Sequence, residues 1–325
     1  MTPLQFEARY QAEWDELESL LSKLTRRGKR KGEVPVAGER FAGLYRRACE
    51  QLALARTRAY PAYIVDRLNQ LTADAHQVIY QRQEFGLERL RQMVAYDFPR
   101  AVRAHRAYVG LSAATFVIPL LVLGGLIYAK PELILSMVDP MTAAQFEHMY
   151  SDSAESIGRT RDGADDWTMF GFYIRHNIGL GFQCFASGLF AGVGSLFFLA
   201  FNGAYIGAIA GYLTERGFAS TFYSFVATHG AFELTAIVLA GAAGLRIGHS
   251  LISPGRRTRR DALLIAARES IVIVYGVTGL LIIAAALEAF WSSARWIPLP
   301  LKYSVAACCW IVVLGYLWRQ GRDAS

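Results

Sequence analysis

The sequence predicts an all-α protein, in which a cytoplasmic helical domain precedes a polytopic transmembrane helical bundle of about six spans. Three observations lead to this fold class. Hydrophobic residues make up 53% of the 325 residues, and beyond residue 106 they are gathered into runs of membrane length. The polar first hundred residues carry apolar side chains at helical spacing. Basic residues flank the apolar runs. We therefore expect a helical domain at residues 1–104 and a transmembrane domain at residues 105–320.

The N-terminal domain is predicted to be a small helical bundle. In the first helix, aromatic and aliphatic residues recur every three or four positions: Phe6, Tyr10, Trp14, Leu17, Leu21 and Leu24. A basic, glycine-containing linker at residues 25–38 separates it from a second helix, and a third begins near Pro61. A fourth carries Leu87 and Leu90 toward Phe98. Two interpretations stay open, a helical domain without chemistry and a docking surface for a cytoplasmic partner.

Six apolar runs are assigned as membrane spans, each close to the roughly 20 residues that a spanning helix needs. The assigned spans are residues 107–129, 171–191, 196–213, 221–245, 270–291 and 303–318. The second and third are separated by a tight turn predicted at 192–195. The alternative is one tilted helix that ends at Asn202-Gly203 and is followed by a re-entrant segment.

The net charge of +7 reflects membrane topology rather than nucleic-acid binding, because basic residues such as Arg256–Arg260 and Arg319 lie next to the spans. The positive-inside rule places these segments, and both termini, in the cytoplasm. The loop at 130–168 is acidic and is placed outside. Its acidic residues are Glu132, Asp139, Glu147, Asp152, Glu155, Asp162, Asp165 and Asp166. We expect contact with membrane lipid and no nucleic-acid partner.

Glycines in the predicted spans recur at intervals of four: Gly188 and Gly192; Gly203, Gly207 and Gly211; Gly244 and Gly248. Small residues at this spacing form a flat stripe along a helix and let two backbones approach closely, which favours helix association in lipid. We expect the second, third and fourth spans to form one tightly packed core.

Polar residues inside the predicted spans are the candidate functional site. His229 and Glu233 are four residues apart, so they share one helix face. Asn202 is predicted to lie at a similar depth and to touch both, with His176 and Asn177 near the outer end of the second span. A charge at mid-membrane is costly unless it is paired.

Three interpretations of this cluster remain: an interhelical hydrogen-bond network, a proton or ion pathway, and a metal site formed by His229, Glu233 and His176. The order H-x-x-x-E matches no established metal motif. We therefore expect no metal ion, no cofactor and no catalytic residue.

The same segments resemble the stage II sporulation protein M family. The resemblance rests on His176-Asn177, on "FASGLFAGVGSLFFLAFNGAYIGAIAGY" and on "HGAFELTAIVLAGAAGLRIG", which lie within residues 170–252. This sequence has His176 where the family usually has a second Asn, and Thr235 where it usually has Pro. The resemblance implies an integral protein of the bacterial inner membrane that helps to recruit and hold a peptidoglycan-remodelling complex, and it implies no catalytic residues.

Our leading hypothesis is therefore a multi-pass scaffold or assembly protein for an envelope-associated complex, whose partners are other envelope or membrane proteins or a second copy of the chain. The alternative is a transporter or channel that uses Asn202, His229 and Glu233.

Overall fold

The computed structural model describes residues 1–27, 37–80, 86–151, 163–294 and 296–321. These residues form helices and turns and no strand, so the predicted all-α class is confirmed. The chain divides into two compact units, residues 1–89 and 90–325. Residues 28–36 of the predicted linker lie outside the described residues, as do Asp152, Glu155 and Asp162 of the predicted acidic loop.

The first unit is a three-helix bundle of α1 (Pro3–Arg27), α2 (Ala37–Thr57) and α3 (Ala62–Tyr80). The predicted apolar face of α1 is confirmed, because Phe6, Trp14, Leu17 and Leu21 are all buried in the core. The indole N–H of Trp14 donates a 2.6 Å hydrogen bond to the buried side-chain oxygen of Gln51 on α2. This bond satisfies the polar end of the largest side chain in the core.

The second unit starts within the predicted fourth helix, which is divided into three pieces. A short helix α4 (Leu87–Gln92) leads into a π-helical turn (Met93–Asp97) and then into α5 (Phe98–Ala104). Leu87 and Leu90 are exposed, whereas Phe98 of α5 is buried in the core of the second unit. Residues 90–104 therefore belong to the second unit, which is called the membrane unit below.

The rest of the second unit is a helical bundle with short 3₁₀ and π-helical turns. Its helices are α6 (Arg106–Ala129), α7 (Pro140–Tyr150), α8 (Gly163–Ala186), α9 (Val193–Glu215), α10 (Ala219–Ile252), α11 (Arg259–Ala286) and α12 (Leu299–Arg319). The 3₁₀ turns are Pro131–Ser136 and Ser187–Leu189, and the π-helical turn Leu287–Ser292 continues α11.

Among the described residues, five helical segments are long and apolar enough to cross a membrane: α6, α9, α10, α12 and α11 together with its π-helical turn. α8 occupies the predicted second span but is not among the five, in keeping with the charges of Asp165, Asp166 and Arg175 along it. A turn then places Gly192 at a φ of 82°, in the left-handed region that favours glycine. α9 continues through Asn202-Gly203 without a break, so the alternative of a re-entrant segment is wrong.

The glycine stripe of α9 packs against α6. A methyl group added at Gly203, Gly207 or Gly211 would overlap the backbone of Phe116, Leu120 or Gly124, in that order. We predicted that the glycines pack the second, third and fourth spans into one core. The stripe of α9 instead faces α6, which is the first span. Four-residue spacing on both helices brings the two backbones together along three successive turns.

α10 is the central helix of the second unit, and its small residues let α8 and α9 pack closely on it. A methyl group added at Gly188 would overlap the backbone of Gly244, and one added at Gly248 would overlap that of Gly192. Alanine and leucine residues of α10 fill the core from the same helix. The absence of side chains at these four glycines lets the turn before α9 approach the backbone of α10 this closely.

Candidate functional site in the membrane unit

The polar site lies where α10 faces the π-helical turn that ends α11. His229 and Glu233 lie about 15 and 21 Å along α10 from its first residue, at 1.5 Å per residue. The facing turn, Leu287–Ser292, contributes Glu288 and Ser292. This π-helical turn, at the C-terminal end of α11, places two polar side chains against α10.

The imidazole of His229 bridges the two helices. Its Nδ1 lies 2.9 Å from the hydroxyl oxygen of Ser292, a hydrogen bond across the interface. Its Nε2 lies 3.8 Å from Oε2 of Glu233, which is longer than a hydrogen bond. His229 is 4% exposed, so the ring is held inside the bundle. If Nδ1–H donates to Ser292, the lone pair of Nε2 points toward the carboxylates.

Glu288 brings a second carboxylate to the site. One ligand atom each from His229, Glu233 and Glu288 lie within 4.8 Å of one another. The side-chain amide of Asn177, on α8, donates to Oε2 of Glu288 at 3.5 Å. Asn177 is 1% exposed, so four side chains from three helical segments meet in the interior.

A buried lysine from α12 reaches the same π-helical turn. The ammonium group of Lys302 donates a 2.8 Å hydrogen bond to the main-chain carbonyl of Ser292, and the residue is 4% exposed. A buried ammonium group and two carboxylates within one membrane unit are costly to hold without compensation. The site therefore concentrates ionisable groups that an apolar core would otherwise exclude.

Three buried side-chain polar atoms of the described residues have no hydrogen-bond partner, and all three belong to this site or to residues next to it. They are Oδ1 of Asn177, Oγ1 of Thr228 and Nε1 of Trp291. Burying such an atom without a partner costs about 1–3 kcal/mol. Of the three, Asn177 contacts a residue of the site, through its amide nitrogen to Glu288.

The structure brings together three of the five residues predicted for this site: Asn177, His229 and Glu233. His176 is exposed and stacks on Phe172, with ring centroids 6.0 Å apart. The side chain of Asn202 donates a 2.7 Å hydrogen bond to the carbonyl of Phe198 within α9.

Sequence reasoning missed Glu288, Ser292 and Lys302. For Glu288 a signal was present, since an ionisable residue stands inside the apolar run 270–291. Ser292 and Lys302 carried no such signal, because serine is common in membrane helices and Lys302 lies at a predicted helix end.

Ser292 and His229 form a hydroxyl–imidazole pair, the combination that nucleophilic enzymes use. Ser292 is 1% exposed, however, and the carboxylate of Glu233 is too far from Nε2 to orient the ring. The arrangement is better suited to holding a proton or a cation than to attacking a substrate.

Comparison with known families assigns the membrane unit. Residues 112–293, more than half of the chain, match the family model of stage II sporulation protein M. The chain belongs to the stage II sporulation protein M family. The matched segment of this family member contains Asn177, His229, Glu233, Glu288 and Ser292.

The first unit has its own match. Residues 4–81 match a family described as a domain of unknown function (DUF8413). A search of curated proteins gave no match to this family member, and a search of solved structures gave none either.

Proposed function

We propose that this member of the stage II sporulation protein M family is a multi-pass scaffold of the bacterial inner membrane that holds an envelope-associated complex. In this proposal α8 makes a sixth crossing beside the five apolar segments, so that both termini lie in the cytoplasm and the segment 130–168 faces the envelope. The family resemblance favours peptidoglycan remodelling as the process that the complex carries out. The first unit is then free to contact a cytoplasmic partner.

The observation that carries the proposal is a folded platform, Pro131–Tyr150, between α6 and α8. It consists of the 3₁₀ turn and α7. Ile134, Ala143 and Tyr150 of the platform are buried with residues of α9 and α10 in a hydrophobic cluster. A segment anchored in this way presents a constant surface, as a scaffold requires.

Polar contacts fix the platform to the ends of the spans. The hydroxyl of Tyr212 donates a 2.5 Å hydrogen bond to Glu147, and the guanidinium of Arg216 lies 3.2 Å from the same carboxylate. The hydroxyl of Thr221 donates a 2.7 Å hydrogen bond to the carbonyl of Tyr150. These bonds tie α7 to both α9 and α10.

The exposed side of the platform is mixed, since apolar side chains stand there beside the exposed Glu132, Asp139 and His148. Met141 is 73% exposed and Leu135 is 54% exposed, although their neighbours in the platform are buried. Exposed methionine and leucine on a fixed helical surface are suited to contact with another protein. The continuous α9 supports a scaffold further, because transporter sites are typically formed by discontinuous helices.

Site-specific photocrosslinking in living cells tests the proposal. A photoreactive amino acid at Met141 should capture envelope proteins. Ile311 on α12 is a comparably exposed position, and it faces lipid in this topology. The same photoreactive amino acid at Ile311 should therefore capture no envelope protein. Equal capture at both positions, or none at Met141, would refute the scaffold role of the platform.

A further inference from the structure

We infer that His229, Glu233 and Glu288 bind a single divalent transition-metal ion inside the membrane unit, with Oδ1 of Asn177 as the fourth ligand. This inference goes beyond the scaffold function and does not depend on it. It assigns to the polar site a chemical class of ligand, namely a cation that accepts both nitrogen and oxygen donors.

The distances between the donor atoms fit a shared ion better than a hydrogen-bonded cluster. Ligand atoms about 2.1 Å from a tetrahedral zinc ion are about 3.4 Å apart. Nε2 of His229 and Oε2 of Glu233 are separated by 3.8 Å, and the full set of three lies within 4.8 Å. Small side-chain rotations close this gap, whereas 3.8 Å is outside hydrogen-bonding range.

Neighbouring groups orient the donors as they do in established metal sites. A metal-binding histidine usually donates its second N–H to an oxygen atom, which fixes the ring. The hydroxyl oxygen of Ser292 lies in this position, 2.9 Å from Nδ1 of His229, and accepts when Nδ1 carries the proton. The amide N–H of Asn177 contacts Glu288 at 3.5 Å in the same supporting role.

Asn177 provides the independent observation for a ligand. Its amide nitrogen contacts Glu288, while its Oδ1 is buried and has no hydrogen-bond partner among the described residues. The same amide group therefore carries a buried, unsatisfied oxygen donor beside a carboxylate of the site. Coordination of a cation would satisfy it.

Charge balance also favours a divalent ion. Two carboxylates in an apolar interior repel one another, and a single 2+ charge between them neutralises both. An imidazole with two carboxylates suits zinc, manganese or iron, whereas magnesium and calcium prefer oxygen ligands alone.

Metal analysis of the full chain tests the inference. The protein, carrying a tag without histidines, is purified in mild detergent without chelators, and its metal content is measured by mass spectrometry. Chelated protein is then titrated calorimetrically with Zn²⁺ and with Mn²⁺. We expect a single ion per chain, and an affinity that falls at least about tenfold in Glu288→Gln.

Glu269→Gln is the matched control, because it makes the same substitution on the same helix at a residue that pairs with Arg246 instead. It should bind metal as the wild type does. Asn177→Ala and Asn177→Asp keep the inference testable if Glu288→Gln fails to fold. Alanine should weaken binding, and aspartate should preserve or strengthen it.

Two results would overturn the inference: a wild-type chain that binds neither Zn²⁺ nor Mn²⁺, or binding that Glu288→Gln and Asn177→Ala leave unchanged. Its failure is distinguishable from failure of the scaffold proposal. If Met141 forms crosslinks but the protein binds no metal, only the metal-site inference is refuted. If the protein binds metal but Met141 forms no crosslinks, only the scaffold proposal is refuted.

Discussion

Replacing Gly207 with alanine should destabilise the membrane unit, because α6 and α9 are in backbone contact at this residue. A methyl carbon at Gly207 would lie 2.8 Å from both Cα and the carbonyl carbon of Leu120. Carbon atoms in ordinary contact are about 3.5–4.0 Å apart, so the helices must separate by about 1 Å. The overlapping atoms are backbone, which no side-chain rotation can move aside.

The separation also loosens the contacts at Gly203 and Gly211, which belong to the same stripe. Overpacking of this kind costs about 1–3 kcal/mol. For a domain of this size the loss corresponds to a fall in Tm of roughly 2–12 °C. We expect Gly207→Ala to lower the temperature at which the detergent-solubilised chain aggregates, as followed by gel filtration after heating.

Gly125→Ala is the control for the effect of alanine itself. It changes a glycine of α6 whose added methyl group would meet nothing within 4 Å. Its effect should be neutral or slightly stabilising, since alanine favours helix over glycine by up to about 1 kcal/mol. Equal melting of the two variants would refute the argument that the glycine stripe of α9 sets the packing.

Two further predictions concern regions outside the spans. Trp14→Phe should lower the free energy of unfolding of the first unit by about 1–3 kcal/mol, because it removes the donor to the buried oxygen of Gln51. Thermal unfolding of the first unit measures this loss. A loss no larger than that caused by Tyr10→Phe would contradict the prediction. The pKa of Asp139 is held below its ordinary value, chiefly by the hydrogen bond from the Thr142 hydroxyl, and main-chain N–H groups of α7 add to this. The carboxylate of Asp139 caps the first turn of α7, and its pKa is lower in the folded chain than in the unfolded one. This cap therefore stabilises α7 fully above the unfolded pKa of about 3.9, and the stabilisation is lost as the pH falls through the folded-state pKa. Hydrogen exchange of α7, corrected for intrinsic rates, should therefore rise in acid for the wild type but not for Asp139→Asn; identical pH profiles would contradict the assignment.

The helices could be predicted well because their signal is local. Long apolar runs identified α6, α9, α10 and α12, and the spacing of Phe6, Trp14 and Leu17 identified the face of α1 that is buried. The tight turn before α9 was visible as a glycine pair near Gly192. Composition and periodicity fix such features without reference to the rest of the chain.

The site was predicted only in part because it depends on contacts between helices. His229 and Glu233 share a face by their spacing along one helix, and the structure keeps them together. Glu288 joins them only through the register of α11 against α10 and through a π-helical turn, neither of which has a local sequence signal. The contact of Asn202 with His229 and Glu233 stays a prediction; the hydrogen bond described for its side chain is to the carbonyl of Phe198 in the same helix.

Co-purification from native membranes tests the scaffold proposal most directly. The full chain is isolated in mild detergent, and its associated proteins are quantified by mass spectrometry for the wild type, Met141→Asp and the lipid-facing control Ile311→Ala. We expect a reproducible set of envelope proteins with the wild type and the control, and their loss in Met141→Asp while the chain remains folded. A wild-type chain that is recovered alone, or an identical set with Met141→Asp, would contradict the account.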